Sequence, residues 1–451
     1  MGVTAETDPG GLERKVAPDE LFFSTTDQRG IIRTGNSVFV RISRYSLEEL
    51  TGAPHSIIRH PAMPCGAFRL MWDRLLAGRP MGAYVLNLAK DGSYYWVFAT
   101  ITPLGDGFLS VRVAPQSGLF DPARGLYPQI LAFEQEIAER EGLDRRAVAE
   151  RGAVEIEDRL RTLGFESYDD FILEALPLEV AARARLVKSS YVRSRAHGPI
   201  GEVIAGTIVL DGMLDTQVAQ LESYRLLAAR LLDVSSHVLD VARRLDQAVD
   251  ATRYASQKVV NTAPVLLNVA NVMSIPVRAT VDALKELSTR LGALRRDVAS
   301  LRFRIALASL HNDMVAAFAA EVVDGLAPPS SLYEVPLLCD ALHEGVVEMA
   351  ATAANVNREL YAVAELIAET GERLDEFRRF LGQWRILVMR HRSGATLGEL
   401  LQPIDEEINA EHTSIDLLRT LGQECRAAAL PIESTIFEAQ VSRIRIASAA
   451  A

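Results

Sequence analysis

From Gly201 onward the chain repeats an apolar or small residue at alternating intervals of four and three, and that period commits the region to helices. Leu227, Leu231, Val234, Val238, Val241, Leu245, Ala248, Thr252, Ala255 and Val259 form the first run. A repeat averaging about 3.5 residues lays them along one narrow stripe of an α-helix. A second seam runs through Leu284, Leu287, Leu291, Leu294, Val298, Leu301, Ile305 and Ala308, and Pro264 and Pro276 stand before it. Proline removes a backbone donor and clashes with the preceding turn, so a kink or bend is expected there. The turn-rich stretch 325–331 precedes a third seam through Val356, Leu360, Val363, Ile367, Thr370, Leu374, Phe377, Leu381, Trp384 and Val388. The second and third seams are thus placed to fold back as an antiparallel hairpin. A single helix cannot bury such a stripe alone. The expected solution is a coiled coil, with a homodimer joined mainly through 220–390. The alternative is the core of an ordinary helical bundle.

A chain of 451 residues has room for about two to four domains. Hydrophobic residues at 49% with aromatics at only 6% favour globular helices over sheets. The net charge of −11 argues against binding a phosphate backbone through counterion release, so no nucleic-acid partner is expected. Cys65, Cys339 and Cys425 are odd in number and widely spaced, which fits neither a disulfide framework nor a zinc site. The first residues lack the apolar core of a signal peptide. The most apolar window, 263–277, carries Asn268, Asn271, Pro264 and Pro276 and is too short to span a bilayer. A cytoplasmic protein without a membrane span is therefore expected.

Only one part of the sequence reads as β-rich. Asp91-Gly92 separates Tyr84, Val85 and Leu86 from Tyr94, Tyr95, Trp96 and Val97, and Gly105 to Gly107 separate 99–103 from 108–113. Such turns between short β-type runs predict a meander of hairpins. With a helical middle, the segment predicts an α+β domain: an antiparallel sheet with flanking helices. The expected order is a flexible leader over 1–18, the sheet domain over 19–116 and a helical connector over 117–200, with breaks near Leu143, Gly152 and Gly164. A coiled-coil helix over 201–276, an antiparallel hairpin over 277–390 and C-terminal helices over 391–451 complete it.

Within the β-rich segment, Asn36, Phe39, Tyr45-Ser46-Leu47-Glu48-Glu49-Leu50, Gly52, Pro54-His55, Arg59-His60-Pro61, Met63-Pro64, Met71-Trp72, Asn87, Gly92 and Tyr95-Trp96 follow one another in order. This pattern resembles the PAS domain of bacterial aerotaxis receptors over about 95 residues. The resemblance implies a PAS fold that cradles flavin adenine dinucleotide (FAD) and relays redox state or oxygen to a helical signalling region. Carried over residue by residue, it places the flavin contacts on Asn36, Arg59, His60, Trp72 and Asn87. A guanidinium fork such as that of Arg59 suits a pyrophosphate. Two positions depart from the family pattern, Ala62 for an acidic residue and Met81 for a tryptophan. The helical half resembles a degenerate, soluble chemoreceptor: its signalling tip is represented only by 304–309, and adjacent methylation sites are missing.

No Walker loop, dinucleotide fingerprint, HExxH, GxSxG or cyclase signature occurs. His343-Glu344 looks like a phosphoacceptor pair, but no nucleotide-binding sequence follows, and Cys65 lacks the motif of light-sensing relatives. Carboxylates such as Glu136 and Asp375 lie beside arginines and form no acid/base dyad. The reading is thus a non-enzymatic PAS signalling protein whose helical region acts on a chemotaxis or motility partner. A cofactor-free PAS scaffold, favoured by Ala62 and Met81, and a flavoenzyme are the alternatives.

Overall fold

The computed structural model describes residues 11–187, 190–409, 413–429 and 433–451. It opens with β1 (Phe22–Asp27), β2 (Ile32–Gly35), α1 (Ser37–Ser43), α2 (Leu47–Leu50), α3 (Cys65–Leu76), β3 (Met81–Leu88), β4 (Tyr94–Leu104) and β5 (Gly107–Val113). The five strands form an antiparallel sheet in the order β2-β1-β5-β4-β3, with the helices inserted between β2 and β3. The two runs read on either side of Phe98 join in the single strand β4. Residues 11–18 do not behave as a free leader: Arg14 donates its backbone N–H to Tyr94 at 2.7 Å, and its side chain pairs with Asp91 at 2.8 Å. Residues 1–10 of that expected leader lie outside the described ones.

Alternation along the strands gives the sheet two buried faces. On the inner face Phe22, Tyr95, Val97 and Ala99 pack against Val38, Phe39, Ile42, Leu50 and Ile58 from the inserted segment. Each fully buried large side chain contributes about 1.5–3 kcal/mol. The outer face is covered by helices from later in the chain. The helices that follow the sheet are α4 (Phe120–Glu141), α5 (Arg145–Thr162), α6 (Tyr168–Val187), α7 (Gly198–Lys258), α8 (Pro264–Val323) and α9 (Val335–Arg390). Tyr84 packs against Phe120 and Phe171, Trp96 against Phe120 and Tyr127, and Phe23 edge-on against Phe318 at 5.1 Å.

The connector breaks near Leu143 and Gly164 fall between helices, whereas Gly152 lies inside α5. Its small size serves packing rather than chain reversal. A Cβ on Gly152 would stand 2.2 Å from Glu134, and one on Gly66 of α3 would stand 2.3 Å from the Gly152 backbone.

The described chain divides into two compact units, and α7, α8 and α9 contribute segments to both. The first contains residues 1–219, 302–349 and 433–451; the second contains 220–301 and 350–432. These units cut across the sequential blocks expected from the seams. The remaining helices are α10 (Gly394–Leu397), α11 (Gln402–Asn409), α12 (Thr413–Ala428) and α13 (Ser434–Ala449).

In the second unit, Asp297 and Arg290 on α8 meet Asn355 and Glu359 on α9, the numbering running in opposite senses, so these helices are antiparallel. Arg419 of α12 pairs with Asp375 of α9. Seam residues of all three runs, Leu231, Leu245, Leu287, Leu291, Leu360 and Trp384 among them, are buried within one chain. Within one chain the stripes are therefore covered, as in the core of a helical bundle, the alternative to the coiled coil. Pro264 begins α8 after a short connection, and Pro276 lies inside α8 without ending it; the chain turns before Pro264. No helix among the described residues is long and apolar enough to cross a membrane.

Candidate functional site

Sheet register brings polar side chains together among the apolar residues of the inner face. Asn87 lies directly opposite Tyr95 in the β3–β4 pair, and Arg112 of β5 lies opposite Ala99 on one side and Phe22 on the other. Directly opposed residues share a face. Asn87 Nδ2, Tyr95 Oη and Arg112 Nη1 are all buried and have no hydrogen-bond partner within the protein. Buried polar groups are normally satisfied, since each orphan costs about 1–3 kcal/mol. These three unpaired groups lie on one face of the sheet.

Arg112 is 4% exposed, and its other terminal nitrogen donates to Ser24 Oγ at 3.2 Å and to His55 Nε2 at 2.5 Å. Burial lowers the guanidinium pKa to about 10, while burial and then the neighbouring Arg112 charge hold His55 well below its ordinary value. His55 is accordingly neutral and accepts. Its ring stacks on Phe39.

The five residues singled out from the sequence take different places. Asn36 is committed to the fold: its Oδ1 caps α1 by accepting from Phe39 N–H and also accepts from Phe23 N–H, while its Nδ2 donates to Leu21 C=O. Arg59 and Asn87 form a backbone bridge, and His60 N–H donates to Leu86 C=O, so the Arg59-His60-Pro61 step is stitched to β3 beside Asn87. Arg59 donates to Met63 C=O at 3.0 Å and lies 3.9 Å over the Phe68 ring, half-buried. His60 Nδ1 accepts from Ala62 N–H, and burial lowers the imidazole pKa. Trp72 stands apart from this group, edge-on to Phe108 at 5.6 Å and against Gly30. Phe108 is four residues from Arg112, about 13 Å along the strand.

Two buried carboxylates of the connector grip this domain. Glu134 of α4 accepts from the backbone N–H groups of Cys65 and Gly66, both at 2.7 Å, and so caps α3 just after Met63-Pro64. Its pKa is raised by burial, against the lowering effect of these bonds. Glu179 of α6 accepts from Tyr84 Oη at 2.7 Å, Ser117 Oγ at 2.7 Å and the N–H groups of Gln116 and Ser117. His343 and Glu344 are exposed on α9.

Residues 33–108 match the family model described as the PAS fold. The aerotaxis receptor of Escherichia coli is 41% identical over 102 residues, covering 22% of this chain and 20% of that protein. The nitrogen fixation regulatory protein of Klebsiella pneumoniae is 30% identical over 103 residues, 23% of this chain and 21% of its own. The chain thus spans about a fifth of the length of these curated relatives. A crystal structure of the photo-excited blue-light photoreceptor Vivid aligns with 25% of this chain and 88% of its own at 16% identity, with a TM-score of 0.19 that carries no weight. The five-stranded segment is a PAS domain, similar in sequence to that of the aerotaxis receptor and followed by a mostly helical region.

Proposed function

We propose that this is a non-enzymatic, cytoplasmic signalling protein whose PAS domain binds a flavin, FAD, and senses redox state or oxygen. The observation that carries the reading is the orphaned Nδ2 of Asn87 on the inner face, beside the Arg59-His60-Pro61 step. A bound flavin would supply a redox-active ring whose edge is rich in hydrogen-bond acceptors. Asn87 would donate to that edge. Arg59 retains donors beyond the one given to Met63, and these would hold phosphate charge. His60, whose imidazole pKa is lowered by burial, would line the same step beside the ring. Similarity to the aerotaxis receptor supports a sensory role and a chemotaxis or motility partner for the helical region.

Output would pass through Glu134 and Glu179. Both tie elements of the PAS domain to the connector, so a shift of β3 or α3 alters helix packing. A self-association surface, if used for output, would lie outside the three seams, which are buried within one chain. The test is FAD affinity of purified variants. Arg59→Ala should weaken binding roughly 30-fold, or about 2 kcal/mol. Arg69→Ala should change it little, because Arg69 is engaged by Asp73 and Glu150. Equal effects of the two substitutions would reject this placement of the phosphates.

A further inference from the structure

We infer that Arg112 and His55 form a charged anchor inside the PAS core, built to hold the acceptor edge of a flat heteroaromatic ligand. The ligand's identity as a flavin rests on the preceding reading; the anchor rests on the unpaired guanidinium. Arg112 lies within the sheet, flanked by Phe22 and Ala99, with its guanidinium 5.5 Å from the Phe39 ring centre. Among the described residues no ion pair joins it to a carboxylate, and its side-chain partners, Ser24 and His55, are neutral. A cation removed from water without a counter-charge opposes folding. An apolar side chain of similar length would fill the same space without that cost.

The free groups on this face are also of one kind. Arg112 Nη1 and Asn87 Nδ2 can only donate, and Tyr95 Oη has a proton to give. No protein acceptor meets any of them, so the complementary ligand presents several acceptors along one edge. Phe22, Phe39, Val97 and Ala99 form the apolar core on the same face, which suits a planar ring rather than a hydrated phosphate. His55 accepts from Arg112 and thereby leaves Nη1 as the donor for the ligand. A pyrimidinedione-type edge, with carbonyl oxygens beside a ring nitrogen, meets these demands, and the cation favours a ring that carries negative charge.

The experiment uses the full-length protein with Arg112→Met and Arg112→Lys, measuring FAD affinity by fluorescence quenching and the melting temperature of each ligand-free protein. Arg112→Met should weaken FAD binding at least tenfold and Arg112→Lys by less. Ligand-free Arg112→Met should melt higher than ligand-free wild type, because a buried unpaired charge has gone. Unchanged affinity in Arg112→Met, or a ligand-free melting temperature no higher than wild type, would overturn the inference. Failure of the wild type to bind FAD would reject the flavin reading alone. The melting comparison would then decide the anchor: a higher value for Arg112→Met upholds a site for another acceptor-edged ligand, and any other value rejects it.

Discussion

Replacing Glu179 by alanine should uncouple the sheet from the connector at a cost that the hydrogen bonds allow to be reckoned. The carboxylate is fully buried and accepts from two hydroxyls and two backbone amides. After its removal Tyr84 and Ser117 still have each other at 3.1 Å, but the Gln116 and Ser117 amides lose their acceptor. Two part-buried donors left without a protein acceptor, at about 1 kcal/mol each, give about 2 kcal/mol for Glu179→Ala. Tyr84→Phe removes the bond to the carboxylate together with the longer contact to Ser117 and should cost about 1.5 kcal/mol. Because both substitutions break the same contact, the double variant should be less destabilised than the sum, by about 1 kcal/mol. Urea denaturation measures this, followed by tryptophan fluorescence in a Trp384→Phe background so that the signal comes from Trp72 and Trp96 of the PAS domain. Strict additivity of the two substitutions would refute the coupling of β3 to α6 through this carboxylate.

His311 is 2% exposed and its pKa is lowered by burial from 6.5 to about 4. Its contribution is therefore intact above pH 6.5 and lost as pH falls toward 4, by about 3 kcal/mol in all. His311→Leu should flatten that part of the stability profile, and an unchanged acid slope would contradict the assignment. Gly66→Ala drives a methyl into the Gly152 backbone and should destabilise the protein by about 2 kcal/mol in urea denaturation, whereas a neutral effect would show that α3 and α5 can separate freely. Leu291→Asp should unfold the second unit as judged by circular dichroism, and the wild-type melting temperature should not depend on protein concentration. A concentration-dependent midpoint would show that the seams are shared between chains.

Local pattern was legible where one residue type has one structural use. Asp91-Gly92 and the 105–107 turn mark the hairpins, and the alternation of Leu and Val at three and four marks the buried stripe of each long helix. What covers a stripe is decided by the geometry of the short connections before Pro264 and Val335, and the period carries no trace of it. Gly152 looked like a helix break because glycine is a poor helix former, yet close packing against Gly66 explains it better. Asn36 was recognisable by position, but its amide is consumed by the cap of α1 and by β1. Arg112 was invisible for a different reason. A lone arginine in Val-Arg-Val reads as the solvent-facing member of an alternating strand, and only the pairing with Ala99 and Phe22 reveals that its side faces the inner core. Glu134 and Glu179 carry no sequence signal, because their partners lie 69 and 62 residues away in sequence.

The most direct measurement is the content of the PAS core itself. Full-length protein, purified and then denatured, should release a flavin at close to one per chain, identified by its absorbance and mass, and the folded protein should lose its blue absorbance on reduction. A folded but colourless protein that also fails to take up added FAD would contradict the redox sensor while leaving the PAS fold in place.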